Sequence, residues 1–255
     1  MDFLNLPSRT TGIRTYGLTS IVDFGTPVGE LKNILSDYGD YIDIAKIGIG
    51  SAYITPNLKD KIHLYKEYQI KPYFGGTLFE KCYLQKKLSE YFSTLQDLGI
   101  DWIEISNGTL NIPLQERLQL IFLLKDQFHI IAEVGSKDGN HRMSVSEWQE
   151  EIGLLLDAGC EYVITEGRDS GTAGIYEKNG NIKANLIQEV IRELDYKKII
   201  FEAPFPKHQM FFINEIGPNV NLGNVKLSDV LILETQRRGL RSETFYLEDP
   251  ECILP

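Results

Sequence analysis

Apolar and polar positions along this chain alternate between two rhythms. Eight short runs rich in branched and aromatic residues are bounded by turn formers: TSIVDFG (19–25), YIDIAKIG (41–48), KPYFGG (71–76), WIEIS (102–106), HIIAEVG (129–135), YVITEG (162–167), KIIFEAP (198–204) and NVNLG (219–223). Runs of this length and composition predict buried strands. Between them the apolar spacing lengthens to that of one helix face, as at positions 28, 31, 34, 35 and 38, and again at 84, 88, 91, 92, 95 and 98. Pro113 and Ser144 mark helix starts, and Gly39, Gly99 and Gly159 mark stops. In SDVLILETQRRGL (228–240), Ser228 as a cap, the late arginines and Gly239 favour a last helix over another strand.

Strand starts recur about every 20–37 residues, the cadence of successive β-then-α units. Eight units predict an α/β fold with one domain, a (β/α)8 TIM barrel over residues 1–255, with a short irregular N-terminal segment 1–16 and a C-terminal tail 246–255. An open doubly wound sheet would carry a glycine fingerprint after its first strand, and none stands there.

Five of the runs share a second feature, a charge at or near the last position. These are Lys46, Glu104, Glu133 with Lys137 beyond it, Glu166 with Arg168 beyond it, and Glu202. Burying an unpaired charge is costly, so the repetition needs a reason. Side chains alternate along a strand, which sets Lys46 on the face of Ile44, Glu104 on that of Trp102 and Ser106, and Glu133 on that of Ile131. Glu166 likewise shares a face with Ile164, and Glu202 with Ile200. Barrel enzymes place their chemistry at this end of the strands. Convergence there would surround one small volume with acids and cations, which suits a divalent metal and an anionic substrate. Asp23, closing the first run, joins the acids.

Composition narrows the classes. With 42% apolar and 24% charged residues the chain can fill a globular core. A net charge of −10 argues against nucleic acid or an anionic membrane as partner, and leaves room for a small anion held by local cations. No run of roughly 18 apolar residues is available to span a membrane, and MDFLNLPSRTTG lacks the basic start and apolar stretch of a signal peptide. Cys82, Cys160 and Cys252 have no metal-ligand spacing, so reduced thiols in the cytoplasm are expected, with Cys160 a small buried residue.

Several loops carry candidate chemistry. In GGTLFE, the backbone N–H groups of Gly75 and Gly76 at a helix start suit a phosphate or carboxylate, and equally the two glycines can simply make a tight turn. Lys46 can bind phosphate as a point charge or pair with an acid. In GSKDGNHR, Lys137 is a candidate general acid provided its surroundings lower its pKa, and His141 can act without such tuning. Arg168 in EGRDSGTAG offers a planar fork to a carboxylate, sulfonate or phosphate. Asn221 and Asn224 can hold a substrate oxygen or a metal-bound water, or satisfy their own turn. No zinc spacing, Walker loop or GxSxG elbow is present, and carboxylate oxygens suit Mg²⁺.

Taken in order, KIGIGS, GGTLFE, EISNGT, EVGSKD, ITEGRDSG, FEAP and GPNVNLGNV, followed by LET, GLR and SETF, resemble the phosphosulfolactate synthase family from about Gly17 to Phe245. The resemblance implies a (β/α)8 barrel lyase that adds sulfite to phosphoenolpyruvate with Mg²⁺. That is the first step of coenzyme M synthesis in methanogens and of sulfolactate production in some spore-forming bacteria. Phosphoenolpyruvate carries its phosphate on C2, so sulfite is expected to add at C3, giving 2-phospho-3-sulfolactate as C2 takes a proton. In that scheme Lys137 protonates C2, with Lys46 second and Glu166 among the catalytic groups. Arg168, Gly75, Gly76, Asn221 and Asn224 bind substrate, and Glu104, Glu133, Glu166, Glu202 and Asp23 compete for the metal. A homo-oligomer is expected.

Two strings depart from the family pattern. KFGWGTS appears as KIGIGSA, placing Ile49 and Ser51 where an aromatic and a threonine are usual, and EARESG appears as EGRDSG. These changes keep two alternatives open: a sister barrel that adds another nucleophile to an enol phosphate, or a non-catalytic relative of the kind found among plant heat-stress proteins.

Overall fold

All eight predicted runs become parallel strands in the computed structural model, which describes residues 3–135, 143–168 and 170–247. They are β1 (Thr19–Asp23), β2 (Ile44–Ile47), β3 (Lys71–Phe74), β4 (Trp102–Ile105), β5 (His129–Val134), β6 (Tyr162–Thr165), β7 (Ile199–Glu202) and β8 (Asn221–Lys226). Hydrogen-bonded neighbours follow the order β3-β2-β1-β8-β7-β6-β5-β4, and β3 lies beside β4, so the sheet curls into a nearly closed barrel. The helices are α1 (Val28–Tyr38), α2 (Leu58–Glu67), α3 (Gly76–Leu84), α4 (Leu88–Asp97), α5 (Leu114–Leu124), α6 (Val145–Ala158), α7 (Ala184–Glu193), α8 (Pro206–Ile216) and α9 (Val230–Arg237).

Strand alternation sorts the core into two shells. Leu18, Ile44, Tyr73, Trp102, Ile131, Tyr162, Ile164 and Ile200 fill the barrel. Their sequence neighbours, such as Ala45, Ile103, Ala132, Val163 and Phe201, face the helices and build the larger shell. Ser144 opens α6 with a capping box, its hydroxyl accepting from the Glu147 N–H while Glu147 returns the bond to the Ser144 N–H. Cys160 is buried as expected, and burial pushes its thiol up to about 12.

Three local expectations are corrected. The helical spacing from 84 to 98 is split between α3 and α4, because Lys86 turns into left-handed backbone at φ 57° and Leu84 is exposed. No Gly or Pro marks that break, so the pattern ran through it. The last helix starts after Asp229 rather than at Ser228, whose hydroxyl donates to the Asp229 carboxylate. The eighth strand runs from 221 to 226, later than the apolar run suggests.

Candidate active site

The C-terminal ends of the strands surround a cavity of about 1200 Å³. Lys46, Glu104, Glu133, Glu166 and Glu202 all reach it from different strands, as do Gly75, Gly76, Arg168 and Asn224. The four glutamates are at most 2% exposed. Each continues the inward face of its strand one step above the apolar barrel filling, as alternation requires.

Lys46 ties two of these acids together. Its Nζ lies 3.2 Å from Glu104 Oε2 and 3.3 Å from Glu202 Oε1. Burial works against the lysine charge, but attraction to Glu104, Tyr73, Glu202 and Glu133 outweighs it and holds the pKa well above the ordinary lysine value. Lys46 is therefore held as a cation between these acids.

Backbone N–H groups and one hydroxyl each hold a carboxylate oxygen of these acids in place. Glu104 Oε1 accepts from Gly76 N–H at 3.0 Å, and Glu202 Oε2 from Gly167 N–H at 2.8 Å. Glu166 Oε1 accepts from Arg168 N–H at 2.6 Å, which fixes Arg168 in left-handed backbone at φ 56°. Glu133 Oε2 accepts from Ser106 Oγ at 2.5 Å and Asn107 N–H at 3.0 Å. The expected anion cradle at Gly75–Gly76 is corrected accordingly. Gly75 N–H donates to Ile47 O and Gly76 N–H to Glu104, so both donors are already used within the protein.

Two predicted site residues lie elsewhere. Asp23 shares the outward face of Ile21, and its carboxylate takes Lys61 Nζ at 2.6 Å, the Tyr65 hydroxyl at 2.8 Å and the N–H groups of Gly25 and Thr26. It pins α2 and the β1 loop behind the barrel and is not a metal candidate. Asn221 opens β8 at the opposite end, where it accepts from Leu18 N–H and donates to Lys197 O and Ile199 O. Asn224 stays at the mouth, in left-handed backbone at φ 54°, with its buried Oδ1 lacking a hydrogen-bond partner among the described residues. Lys137, His141, Asp169 and Cys252 lie outside the described residues. Ile49, the departure from the family string, lines the cavity rim and is 66% exposed.

Sequence reading missed Arg117. Its buried guanidinium donates to Ile112 O, Glu133 O and Glu151 Oε1, bracing the end of β5 against α5 and α6. The available signal was its helical phase, since Leu114, Ile121 and Leu124 share that face of α5.

Among the described residues no three His, Cys, Asp or Glu groups are arranged to hold a metal by themselves. The donors are hard carboxylate oxygens, which fit an ion that keeps water and substrate oxygens in its shell, as Mg²⁺ does.

Comparison with known proteins gives the same picture over nearly the whole chain. Residues 7–243 match the family described as (2R)-phospho-3-sulfolactate synthase (ComA). The phosphosulfolactate synthase of Bacillus subtilis (strain 168) is 43% identical over 250 residues, covering 96% of this chain and 99% of that protein. That of Methanocaldococcus jannaschii is 40% identical over 235 residues, covering 90% and 94%. In fold alone, 3-keto-L-gulonate-6-phosphate decarboxylase from Vibrio cholerae superposes with a TM-score of 0.54 at 11% identity, over 87% of this chain and 97% of that one. With a barrel whose strand ends carry the family's charged strings into one cavity, and with this extent of identity, the chain belongs to the phosphosulfolactate synthase family.

Proposed function

We propose that the chain adds sulfite to C3 of phosphoenolpyruvate, giving 2-phospho-3-sulfolactate, a lyase-class formation of a carbon–sulfur bond. The observation that carries this reading is that four buried glutamates, Glu104, Glu133, Glu166 and Glu202, ring one cavity at the barrel mouth, two of them paired with Lys46. Such a ring stabilises positive charge, and the substrates are anions that repel each other, so a divalent metal held by these acids would offset that repulsion. The carboxylates of Glu104, Glu133, Glu166 and Glu202 at the cavity are the groups that would hold Mg²⁺. When bound, Mg²⁺ would stabilise the negative charge that grows on the substrate carboxylate as sulfite adds.

The chain's own groups have separate tasks. Arg168, placed at the cavity by Glu166, would take an anionic substrate group in its planar fork. Asn224 supplies an amide oxygen, an acceptor that would take a hydrogen bond from water at the mouth. Lys46 would keep the floor from accumulating unbalanced charge. Proton delivery to C2 falls to Lys137, two residues past Gly135 at the cavity wall.

Incubating the purified protein with sulfite, phosphoenolpyruvate and Mg²⁺ should yield the sulfonate by mass spectrometry. A folded protein that forms none would end this reading. Lys137→Ala should lower kcat by about 10²–10⁴-fold, the usual contribution of a positioned acid, while calorimetry still detects phosphoenolpyruvate binding. Unchanged turnover would remove Lys137 from the role.

A further inference from the structure

GGTLFE ends on an acid that the mouth chemistry does not use. Glu80, in the second turn of α3, is 2% exposed and lines no part of the cavity. Its Oε1 accepts the backbone N–H groups of Thr109 at 2.8 Å and Leu110 at 3.1 Å, in the loop between β4 and α5. Its Oε2 is buried with no hydrogen-bond partner among the described residues. A carboxylate withdrawn from water this fully costs stability unless hydrogen bonds or a charge partner compensate it. Here two loop amides depend on it, through charge-assisted bonds stronger than those between neutral groups.

That loop leads directly to the reacting end of the barrel. Ser106 Oγ and Asn107 N–H hold Glu133 Oε2, Asn107 Oδ1 accepts the Ile112 N–H at 2.7 Å, and Thr109 and Leu110 line the cavity. The same helix begins with Gly76, whose N–H fixes Glu104. One helix thus orients two mouth acids, Glu104 through its first N–H and Glu133 through Glu80 and the loop. We infer that Glu80 is a positioning residue for the synthase reaction. It pins the 106–112 loop that aims Glu133, and it touches no substrate.

The kinetic arm of the test rests on the proposed reaction, and the exchange arm does not. Glu80→Ala removes the acceptor, and Glu80→Gln retains an acceptor oxygen without the charge. For the alanine variant, hydrogen–deuterium exchange should quicken at Thr109 and Leu110. Its kcat should fall about tenfold or more, in line with other supporting groups around an active site, with KM for phosphoenolpyruvate moving less. Glu80→Gln should recover most of both effects. Unchanged exchange in a folded alanine variant would overturn the inference, as would wild-type kcat, or a loss that glutamine fails to recover. If the alanine variant does not fold, Glu80→Asp, one methylene short of both amides, is read in the same way. A wild-type protein that turns nothing over refutes the proposed reaction, and the exchange result still decides whether Glu80 pins the loop.

Discussion

Replacing Lys46 with methionine should destabilise the protein by about 3–5 kcal/mol at pH 8 and abolish turnover. Removing one partner from a buried ion pair leaves the other's charge without compensation, and that loss has this magnitude. Here the lysine serves two acids, Glu104 and Glu202, both essentially inaccessible to water. The pH dependence follows from the same contacts. The Lys46 pKa is raised in the fold, so its stabilising pairs are complete below the ordinary lysine value and are lost only as pH rises through the folded one. Urea unfolding at pH 8 measures the deficit. A deficit below about 1 kcal/mol at pH 8, the range of exposed pairs, would show that Lys46 does not hold the mouth together.

Gly76→Ala should damage the site severely. On propensity alone the substitution looks favourable, because alanine exceeds glycine in a helix by about 1 kcal/mol. The structure reverses that sign. A Cβ at Gly76 would stand 2.2 Å from Glu104 Oε1, 2.3 Å from Ser106 Cβ and 2.4 Å from Ser106 Oγ. Both neighbours are buried, and each is fixed by a hydrogen bond at the mouth, so the strain displaces Glu104 from Lys46 and Ser106 from Glu133. Overpacking of this kind costs about 1–3 kcal/mol, and activity should fall far more than stability. Gly153, in the middle of α6, has nothing within 4 Å of its Cβ position. Gly153→Ala should therefore stabilise by about 0.5–1 kcal/mol and leave kcat unchanged. Comparing the two thermal unfolding midpoints checks the argument. A Gly76→Ala protein as stable and active as wild type would mean that the α3 start does not fix Glu104.

Much of the mouth was legible because strand alternation is a local property of the backbone. Once Ile44, Trp102, Ile131, Ile164 and Ile200 are placed inside the barrel, Lys46, Glu104, Glu133, Glu166 and Glu202 must follow them. The same rule already turned Asp23 outward with Ile21, although its place at a strand end suggested the metal. Asn221 was misplaced for a different reason. The eighth apolar run begins two residues before its strand, so a residue read as the end of β8 is its first.

By itself, then, the sequence determined the eight strands and their order, the barrel they form and the faces on which the charged residues stand. Those properties depend on spacing along a few consecutive residues. Only the tertiary structure decided which charges neutralise one another. Lys46 and Glu202 are 156 residues apart, and Glu80 reaches a loop about 30 residues away. It also decided that the glycine turn spends its N–H groups on the protein itself. Pairing of this kind depends on where the closed barrel brings distant strand ends and loops, and periodicity carries no record of such distances.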